Sequence, residues 1–402
     1  MTDLVLYDDA RARKFEPFAL TRPASELRAG TEIIRRRWEL ALGLDAAGFI
    51  GASHLADFDE LDAPHAHAGD LPAGTVIASS RCAVALGSAD ASASVWTCGG
   101  RVAAVRLSRG VSLDTIRDGS VTLESLAPND ATSATITGWW MDEVWDLIRH
   151  LPELLASDIT DRIEALDTVS GAESGAVIGA YPVRVERGAS VEPYVVFDAT
   201  AGPILVRRGA TISPFTRLVG PCYVGEDSMV AGGRVASTSI GEQCRVHGEL
   251  SMTVFLGHAN KSHDGFVGHS YLGRWTNLGA STVTSNLKNT YGSVAVWTPD
   301  GIRDTGLQFL GTLFGDHAKT AIGTRLTTGS VIGAGANVFA TTMTAKVIAP
   351  FSWGGAAGDT SVYAVDKFVS VAERVMSRRH VELTERARRW LGAAHAARWT
   401  VG

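Results

Sequence analysis

Apolar residues in the first third of the chain follow the short periods of a mixed α/β domain. The run Leu4–Tyr7 is wholly apolar and aromatic and predicts a buried first strand. Residues 25–42 and 141–166 both carry apolar side chains at helical spacing, which predicts two helices. Between them, residues 93–107 are rich in β-forming residues and predict a hairpin through their Gly-Gly pair. This part of the chain therefore reads as an α/β domain followed by a helical linker.

From about Gly175 the pattern changes to small aliphatic residues that recur every six positions, many of them followed by glycine. A six-residue period is typical of a parallel β-helix, in which each hexad gives one short strand and one turn. The pattern predicts a left-handed parallel β-helix of about eight or nine coils. The aliphatic positions that carry it are Val185 and Val191; Val206, Ile212 and Leu218; Val224 and Val230; Ile240 and Val246; Leu272 and Leu278; and Ile332 and Val338.

A β-sandwich with evenly spaced strands is the structural alternative, but sandwich strands are longer and alternate with period two. The repeat is interrupted near residues 198–203 and 294–306, where we expect loops leaving the coil, and such loops often carry binding residues. Residues 362–391 return to helical spacing and predict a C-terminal amphipathic helix that caps the prism or packs along it.

Length and composition fit a soluble chain of more than one domain. With 402 residues the chain is too long for one ordinary core. A net charge of -6 disfavours nucleic acid or an anionic membrane as the main partner, so a phosphate-bearing substrate must meet a local cluster of cations. The four cysteines form no CxxC pair, and the N-terminus has no apolar signal segment. We therefore expect a cytoplasmic protein with small-molecule substrates, no nucleic acid and no membrane partner.

The densest polar cluster lies in residues 257–264 and continues to Asn277, Asn286 and Lys288. In a β-helix of this period, residues about eighteen apart lie one above another, which predicts that these residues share one edge. A neutral histidine such as His263 accepts a proton from an attacking amine, and amides or backbone N–H groups stabilise the oxyanion of acyl transfer. The structural alternative is a set of corner residues with satisfied hydrogen bonds, because Asn and His suit turns.

The motifs from His263 to Asn286 resemble a known family. The segments HDGFVG, LGRWTNLGAST and SN resemble, without a gap, the acetyltransferase domain of bifunctional N-acetylglucosamine-1-phosphate uridyltransferases. The segments PFALTRP, RAG and RWE near the N-terminus, with NLKN and FSWGG further on, resemble a variant branch with a sugar nucleotidyltransferase domain. The resemblance implies a domain order of residues 1–140 (nucleotidyltransferase-like α/β), 141–170 (helical linker), 171–355 (left-handed β-helix acyltransferase) and 356–402 (C-terminal helix).

The resemblance also implies the chemistry of both halves. The β-helix would transfer acetyl from acetyl-CoA to an amino-sugar phosphate, glucosamine-1-phosphate, with His263 as general base and Asn277 and Asn286 in the substrate site. The N-terminal domain would transfer a uridylyl group from UTP with Mg²⁺, giving UDP-N-acetylglucosamine, a cell-wall precursor. A homotrimer is expected, with CoA between neighbouring prisms and its phosphates near Lys319 or Arg325. Asp8 or Asp9, after the first strand, is the candidate for the carboxylate that binds the metal.

Several residues depart from the family pattern. The glycine-rich phosphate loop is absent, and of its motif only Thr21 and Arg22 remain. Guanidinium groups suit phosphate oxygens, so arginines would bind the nucleotide phosphates instead. The candidates are Arg22, Arg28 and Arg37. The alternative is that each of them lies on a solvated helix face.

In the β-helix, Phe266 and Leu287 replace tyrosines and Met252 replaces a basic residue, which removes polar groups from the sugar-phosphate site. Lys261, Lys288 and Arg217 are the candidates to bind the substrate phosphate instead.

Three other functions are compatible with the pattern. One is an acyltransferase for another sugar nucleotide, with an inactive N-terminal domain. A second is a zinc enzyme like the β-helical carbonic anhydrases, because His258 and His263 are five residues apart and His247 or His269 would complete three imidazole ligands. A third is a non-enzymatic regulatory or assembly protein.

Overall fold

The computed structural model describes residues 3–173, 175–340, 342–356 and 359–401. They form two compact units. The first unit runs to Asp146 and includes Leu383–Ala397 near the C-terminus. The second unit runs from Leu147 to Glu382 and takes up the chain again at Arg398.

The first unit is built on a six-stranded mixed sheet. Its strand order is Ala46–Ile50, Leu4–Tyr7, Val76–Ser79, Arg101–Arg106, Val95–Cys98 and Ser133–Thr135. The first three strands are parallel, whereas Arg101–Arg106 runs antiparallel to both of its neighbours. Cys82–Val84 pairs with Gly138–Trp140, and Arg28–Ala29 with Glu32–Ile33, in two small antiparallel ribbons. The α-helices of this part are Ile34–Leu42 and Leu113–Ile116, with 3₁₀ turns at Ala12–Lys14, Ala24–Glu26, Ser53–Leu55 and Leu123–Leu126.

The predicted first strand and hairpin of this unit are confirmed. Leu4–Tyr7 is completely buried, and Val95–Cys98 pairs with Arg101–Arg106. Gly99 and Gly100 between them have φ of 57° and 78°, as a two-residue turn of the I′ type requires. The predicted helix at residues 25–42 begins only at Ile34, because the residues before it form the Arg28–Ala29 ribbon, in which Gly30 turns the chain with φ of 69°.

The second unit is a left-handed parallel β-helix, as the six-residue period predicts, with about ten coils rather than eight or nine. Each coil contributes a short strand to each of three faces. The first face contains Thr168–Ser170, Val183–Glu186, Ile204–Val206, Cys222–Val224, Ser239–Ile240, Val254–Phe255, Tyr271–Leu272, Thr312–Phe314, Ser330–Ile332 and Val347–Ile348.

The other two faces share two long strands, Met229–Ala236 and Arg245–Ser251, each of which bends through a corner. The second face also contains Ser190–Val191, Thr211–Ile212, Asn260–Lys261, Asn277–Leu278, Lys319–Thr320, Asn337–Val338, Ser352–Ala356 and Asp359–Val362. The third face also contains Ala176–Gly179, Val196–Ala199, Thr216–Val219, Phe266–Gly268, Val283–Thr284 and Arg325–Leu326.

The predicted inward positions form the core of the prism. All members of the six-residue pairs lie in or against one buried cluster, including Val206, Ile212 and Leu218 of a single coil. A buried side chain of this size stabilises the fold by about 1.5–3 kcal/mol relative to an exposed one. Because every coil repeats the burial, the prism needs no other layer to cover its core.

One insertion leaves the coil between Val283–Thr284 and Thr312–Phe314. It contains the antiparallel hairpin Ala295–Thr298 with Gly301–Asp304, at the position of the predicted interruption near residues 294–306. The residue pair Leu287 and Phe309 forms an isolated bridge at its base. The insertion therefore returns to the prism close to the point where it left.

The linker and C-terminus are helical, with different limits from those predicted. Residues 141–166 contain Asp146–Arg149 and Leu151–Arg162. The C-terminal region forms two helices, Val365–Ser377 and Glu385–Ala396, rather than one, because His380 adopts φ of 59° and Thr384 caps a new start. The first packs along the prism, with Phe368 against Phe351 at 4.9 Å.

The second C-terminal helix packs on the N-terminal unit, which the sequence did not predict. Trp390 contacts Phe58 at 4.9 Å between ring centroids, and Arg389 forms an ion pair with Asp57 at 3.1 Å. Among the described residues, no helix combines the length and the apolar character that crossing a membrane requires.

Candidate functional site

The N-terminal sheet opens into a cavity at the carboxyl ends of its parallel strands. The cavity has a volume of about 330 Å³ and lies where Leu4–Tyr7 and Val76–Ser79 end. Ligands of open α/β sheets bind in this position. The cavity is therefore the candidate ligand site of the N-terminal unit. Its lining includes Tyr7, Asp9, Arg11, Ser79, Arg81, Arg101 and Trp140, with residues 119–124.

Two arginines and one indole form a fixed wall of this cavity. Arg81 donates to both carboxylate oxygens of Asp9, with Nη2 2.6 Å from Oδ2, and its Nη1 lies 2.9 Å from Asp142 Oδ1. Arg101 donates to Asp142 at 3.0 Å and stacks 3.8 Å from the centroid of the Trp140 ring. Burial acts to raise the pKa of Asp9, but the hydrogen bonds and the positive charge of Arg81 outweigh it, so that the pKa of Asp9 is lowered. The wall thus presents guanidinium groups, which suit phosphate oxygens, and a flat ring, which suits a base.

The two aspartates predicted as Mg²⁺ ligands have different surroundings. Burial raises the pKa of Asp8 to about 6, and its Oδ2 accepts a hydrogen bond from the Ala24 N–H at 3.1 Å. Both oxygens of Asp9 accept from Arg81. No group of three or more His, Cys, Asp or Glu side chains within the described ranges is arranged to hold a metal ion. As placed, Asp8 and Asp9 do not fit a resident Mg²⁺ ion.

The three arginines predicted to bind nucleotide phosphates lie inside the N-terminal unit. Arg37 is fully buried and donates to two backbone carbonyl groups, each at 2.8 Å from one of its nitrogens. Arg28 is buried and donates to a backbone carbonyl three residues away. Arg22 forms a buried ion pair with Glu60 at 2.9 Å. Their donors hold parts of the domain together and none of the three lines the cavity, so this placement does not favour their contact with nucleotide phosphates, which stays a prediction.

In the β-helix, His263 occupies the corner between the second and third faces. Its ring is exposed. The buried side chain of Lys261 supports this corner, because its Nζ donates to the backbone carbonyls of His263 and, at 3.1 Å, of His247. Burial lowers the pKa of Lys261 to about 8. Lys261 was predicted to contact substrate, but the structure makes it an internal support of the corner that carries His263.

A column of outward positions on the third face ends at Phe266. In register, Arg217 pairs with Arg234, Arg234 with Glu249, and Glu249 with Phe266. Arg217 lies three coils from Phe266, about 14 Å at the usual strand spacing, and is paired with Asp198 at 2.5 Å. The predicted phosphate role of Arg217 is therefore not favoured. Arg234 and Glu249 are exposed and lie closer to Phe266 than Arg217 does. Only their register with Phe266 could have identified them as neighbours of the candidate site.

Asn286 lies at the far edge of the third face. Its Nδ2 donates to Nδ1 of His269 at 2.9 Å, and Phe309 of the insertion stacks on His269 at 5.3 Å. Burial lowers the pKa of His269 to about 4, so this ring is neutral and accepts the amide hydrogen. Gly268 leaves room for the arrangement, since a Cβ there would lie 2.7 Å from Asn286 Nδ2 and would overlap the Phe266 ring.

We define the third-face site as the outer surface between His263 and Asn286, with Phe266 across its floor. A three-residue strand, Phe266–Gly268, separates the two edges, which corresponds to about 10 Å. An amine and a thioester carbonyl together fit within this span. The site therefore offers a proton acceptor at one edge and an amide donor at the other, as acyl transfer requires.

Asn277 and Lys288 lie outside the third-face site. Asn277 begins a strand of the second face, and its Oδ1 accepts from Asn260 Nδ2 at 2.7 Å. Lys288 donates to the Ser293 carbonyl at 2.8 Å within the insertion. The prediction that the residues from His263 to Lys288 share one edge was therefore wrong. Asn277 lies on the face that ends at the His263 corner, in the coil next to Asn260, and Lys288 follows Asn286 by two residues at the start of the insertion. Their roles in substrate binding stay predictions.

The histidines proposed as zinc ligands have separate partners. His258 Nδ1 lies 3.0 Å from Arg274 Nη1, His247 Nδ1 lies 3.3 Å from Asp264, and His269 is bonded to Asn286. Across the part of the chain that the structure describes, no three potential ligands converge. The residues present do not fit the zinc site of a carbonic anhydrase.

The comparisons with known proteins bear on the N-terminal unit. Residues 4–164, about two fifths of the chain, match the model of a family described as sugar nucleotidyl transferase. No curated protein matches the chain. The chain thus combines a nucleotidyltransferase-like α/β domain, a left-handed β-helix and C-terminal helices, which confirms the predicted fold class.

Proposed function

We propose that this chain is a bifunctional enzyme of amino-sugar nucleotide synthesis. It transfers acetyl from acetyl-CoA to glucosamine-1-phosphate, and then a uridylyl group from UTP to the product, giving UDP-N-acetylglucosamine. The family match of residues 4–164 supports the nucleotidyl half. The observation that carries the acyl half is the position of His263 and Asn286 at the two edges of one face.

In the acyl step, the amine of the sugar attacks the thioester carbonyl of acetyl-CoA. The new C–N bond forms as the carbonyl becomes an oxyanion, and collapse of this intermediate breaks the C–S bond. His263 takes the proton that the amine loses and returns it to the leaving thiolate, so that an amide and CoA result. Asn286 is the side-chain donor nearest to the developing oxyanion in this scheme, and general base catalysis of this kind contributes about 10²–10⁴ in rate.

The substrate phosphate needs a cation on the third face. Arg234 is exposed and lies two coils from Phe266, about 10 Å away at the usual strand spacing. Glu249 lies between them and would balance the charge of Arg234 when no substrate is bound. Arg234 is therefore our candidate for the phosphate contact, in place of Lys261 and Arg217.

In the nucleotidyl step, a phosphate oxygen of the acetylated sugar attacks the α-phosphorus of UTP. One P–O bond forms, the bond to the β-phosphate breaks and pyrophosphate leaves, with no proton required. Arg11 and Arg101 stand at the cavity to neutralise the phosphates, and Trp140 offers a face for the uracil. UTP would arrive as its Mg²⁺ complex, because Asp8 and Asp9 as placed do not hold the metal themselves.

The assembly proposed with this function is a homotrimer in which acetyl-CoA binds between neighbouring prisms. Asn277 lies on the second face, so in this assembly it would serve a site completed by a neighbouring copy. Measurement of the molar mass in solution tests this directly, and a monomer with full acetyl transfer would contradict it.

A second candidate function is acetyl transfer alone, with an inactive N-terminal domain. The pairing of both Asp9 oxygens with Arg81 favours it, because this carboxylate is not available to a metal. Two assays separate the candidates: CoA release from acetyl-CoA with glucosamine-1-phosphate, and pyrophosphate release from UTP with N-acetylglucosamine-1-phosphate and Mg²⁺. Activity in both supports the bifunctional enzyme, CoA release alone supports the second candidate, and no CoA release would contradict both.

A further inference from the structure

A second cavity, in the β-helix unit, lies between the second face and the end of helix Val365–Ser377. Its volume is about 280 Å³, close to the lower limit of about 300 Å³ for small-ligand pockets. Its floor is a row of polar side chains on neighbouring coils, because Asn260 pairs in register with Asn277, and Asn277 with Lys319. Arg378 and Arg379, which follow the helix, close the cavity from the other side.

The walls carry positive charge without a matching carboxylate. Lys319, Arg378 and Arg379 line the cavity, and none of the lining residues is an aspartate or glutamate. Lys319 Nζ donates to a neutral group, the His317 carbonyl at 3.2 Å. Burial lowers the pKa of Lys319 to about 8, as expected for an ammonium group without a nearby anion.

Glu242, a carboxylate beside the cavity, is committed elsewhere. Glu242 accepts a hydrogen bond from Arg274, which also faces His258 in the corner column beside the cavity. Arg379 also lies in positive surroundings. Its pKa is lowered, first by burial and then by the charge of Arg245. The carboxyl end of a helix contributes only about half a negative charge, too little to balance three cations.

The cavity wall also has spare hydrogen-bonding capacity. The hydroxyl of Thr276, which is 1% exposed, has no hydrogen-bond partner within the described residues. The wall itself is rigid, because the His258 and Trp275 rings pack in a tilted arrangement 4.3 Å apart, and Trp275 and His317 stack at 6.2 Å, on successive coils. A buried hydroxyl and clustered cations on a rigid wall are groups that bind an anion.

From these contacts we infer that the cavity at Lys319, Arg378 and Arg379 binds a phosphoryl anion. The phosphate oxygens would accept from the ammonium and guanidinium groups, with Asn277 and Thr276 as neutral donors. The site is distinct from the third-face site, and it stands whether or not acetyl transfer takes place. Two ligands of the proposed reactions carry the required chemistry: the phosphates of CoA and the diphosphate of a nucleotide sugar.

The test is direct binding, measured by calorimetry with sodium pyrophosphate on the full chain. We expect Lys319→Met and Arg379→Met each to weaken pyrophosphate binding about tenfold or more, as for loss of a charge-assisted hydrogen bond. Arg303→Met is the matched control, because Arg303 is exposed in the strand Gly301–Asp304 and does not line the cavity, and it should bind as the wild type does. Equal affinity in the wild type and both cavity variants would overturn the inference.

A stability measurement guards against variants that merely misfold. Because Lys319 lies among like charges, Lys319→Met should unfold no more easily than the wild type without ligand, and pyrophosphate should raise the unfolding temperature of the wild type alone. Equal stabilisation of Lys319→Met and the wild type by pyrophosphate would contradict the site.

Titrations with CoA, dephospho-CoA and UDP-N-acetylglucosamine then identify the source of the anion. A site for the terminal CoA phosphate predicts that Lys319→Met weakens CoA but not dephospho-CoA, whereas a nucleotide-sugar site predicts weaker UDP-N-acetylglucosamine. If the variant weakens none of the three, the cavity is not a ligand site.

Discussion

Lys261 offers a quantitative test of how the prism supports its candidate site. Its inward position is normally aliphatic, as Val246 is in the preceding coil, and its ammonium group is buried against two backbone carbonyls. Burial lowers its pKa from 10.5 to about 8. The folded state thus binds this proton less tightly than the unfolded state does.

The sign of the pH effect follows from linkage. Between pH 8 and pH 10.5 the unfolded chain binds more protons at Lys261 than the folded chain, so stability rises with pH across this window. A shift of this size corresponds to about 3 kcal/mol, of which about 2.5 kcal/mol falls between pH 7 and pH 10. Lys261→Met removes this term together with the two carbonyl hydrogen bonds, so the pH-dependent part of the stability difference between the two proteins reports the ionisation of Lys261.

The assay is urea denaturation of wild type and Lys261→Met at pH 7, 8, 9 and 10, with Lys367→Met as the control for loss of an exposed lysine. The free energy of unfolding of the wild type should rise, relative to Lys261→Met, by about 2–3 kcal/mol from pH 7 to pH 10. A constant difference between the two proteins would refute the burial of a charged Lys261. A pH-dependent difference of the same size for Lys367→Met would refute its assignment to position 261.

Two further predictions concern the prism. Arg207→Ala should lower the free energy of unfolding by about 3–5 kcal/mol, because Arg207 pairs with buried Glu186 at 2.5 Å and its loss leaves that carboxylate without its ion pair. The measurement is urea denaturation, in which a loss below about 1 kcal/mol would contradict this. Gly268→Ala should lower kcat/KM for acetyl transfer about tenfold by displacing Phe266 and Asn286, with an unchanged circular dichroism spectrum; full activity would show that the placement of these two side chains does not matter.

The β-helix could be predicted because its core repeats. Each inward residue, such as Val224 or Ile240, is followed six positions later by another, and burial of all of them requires the same short strand in every coil. The period says little about the outer surface. Arg245 pairs with Asn260, and Asn260 with Asn277, at unequal sequence separations, so a fixed repeat of about eighteen residues misplaces outward side chains.

The charged residues of the N-terminal unit show a different limit. Arg22 and Arg37 lie near the motif that resembles a nucleotidyltransferase, yet both are buried and engaged within the domain. Arg81 and Arg101, distant from that motif in sequence, form the cavity wall because the sheet brings the ends of their strands together. Tertiary packing decides which arginine faces a ligand, and the local sequence does not contain this information.

The most direct test of the bifunctional assignment is a bypass experiment with His263→Ala. Formation of UDP-N-acetylglucosamine is measured with UTP, Mg²⁺ and acetyl-CoA, starting either from glucosamine-1-phosphate or from N-acetylglucosamine-1-phosphate, with His65→Ala as the control for an exposed histidine of the N-terminal unit. We predict that His263→Ala loses about a hundredfold or more of the rate from the first sugar and keeps the wild-type rate from the second. An unchanged rate from glucosamine-1-phosphate, or no product from either sugar with the wild type, would contradict the account.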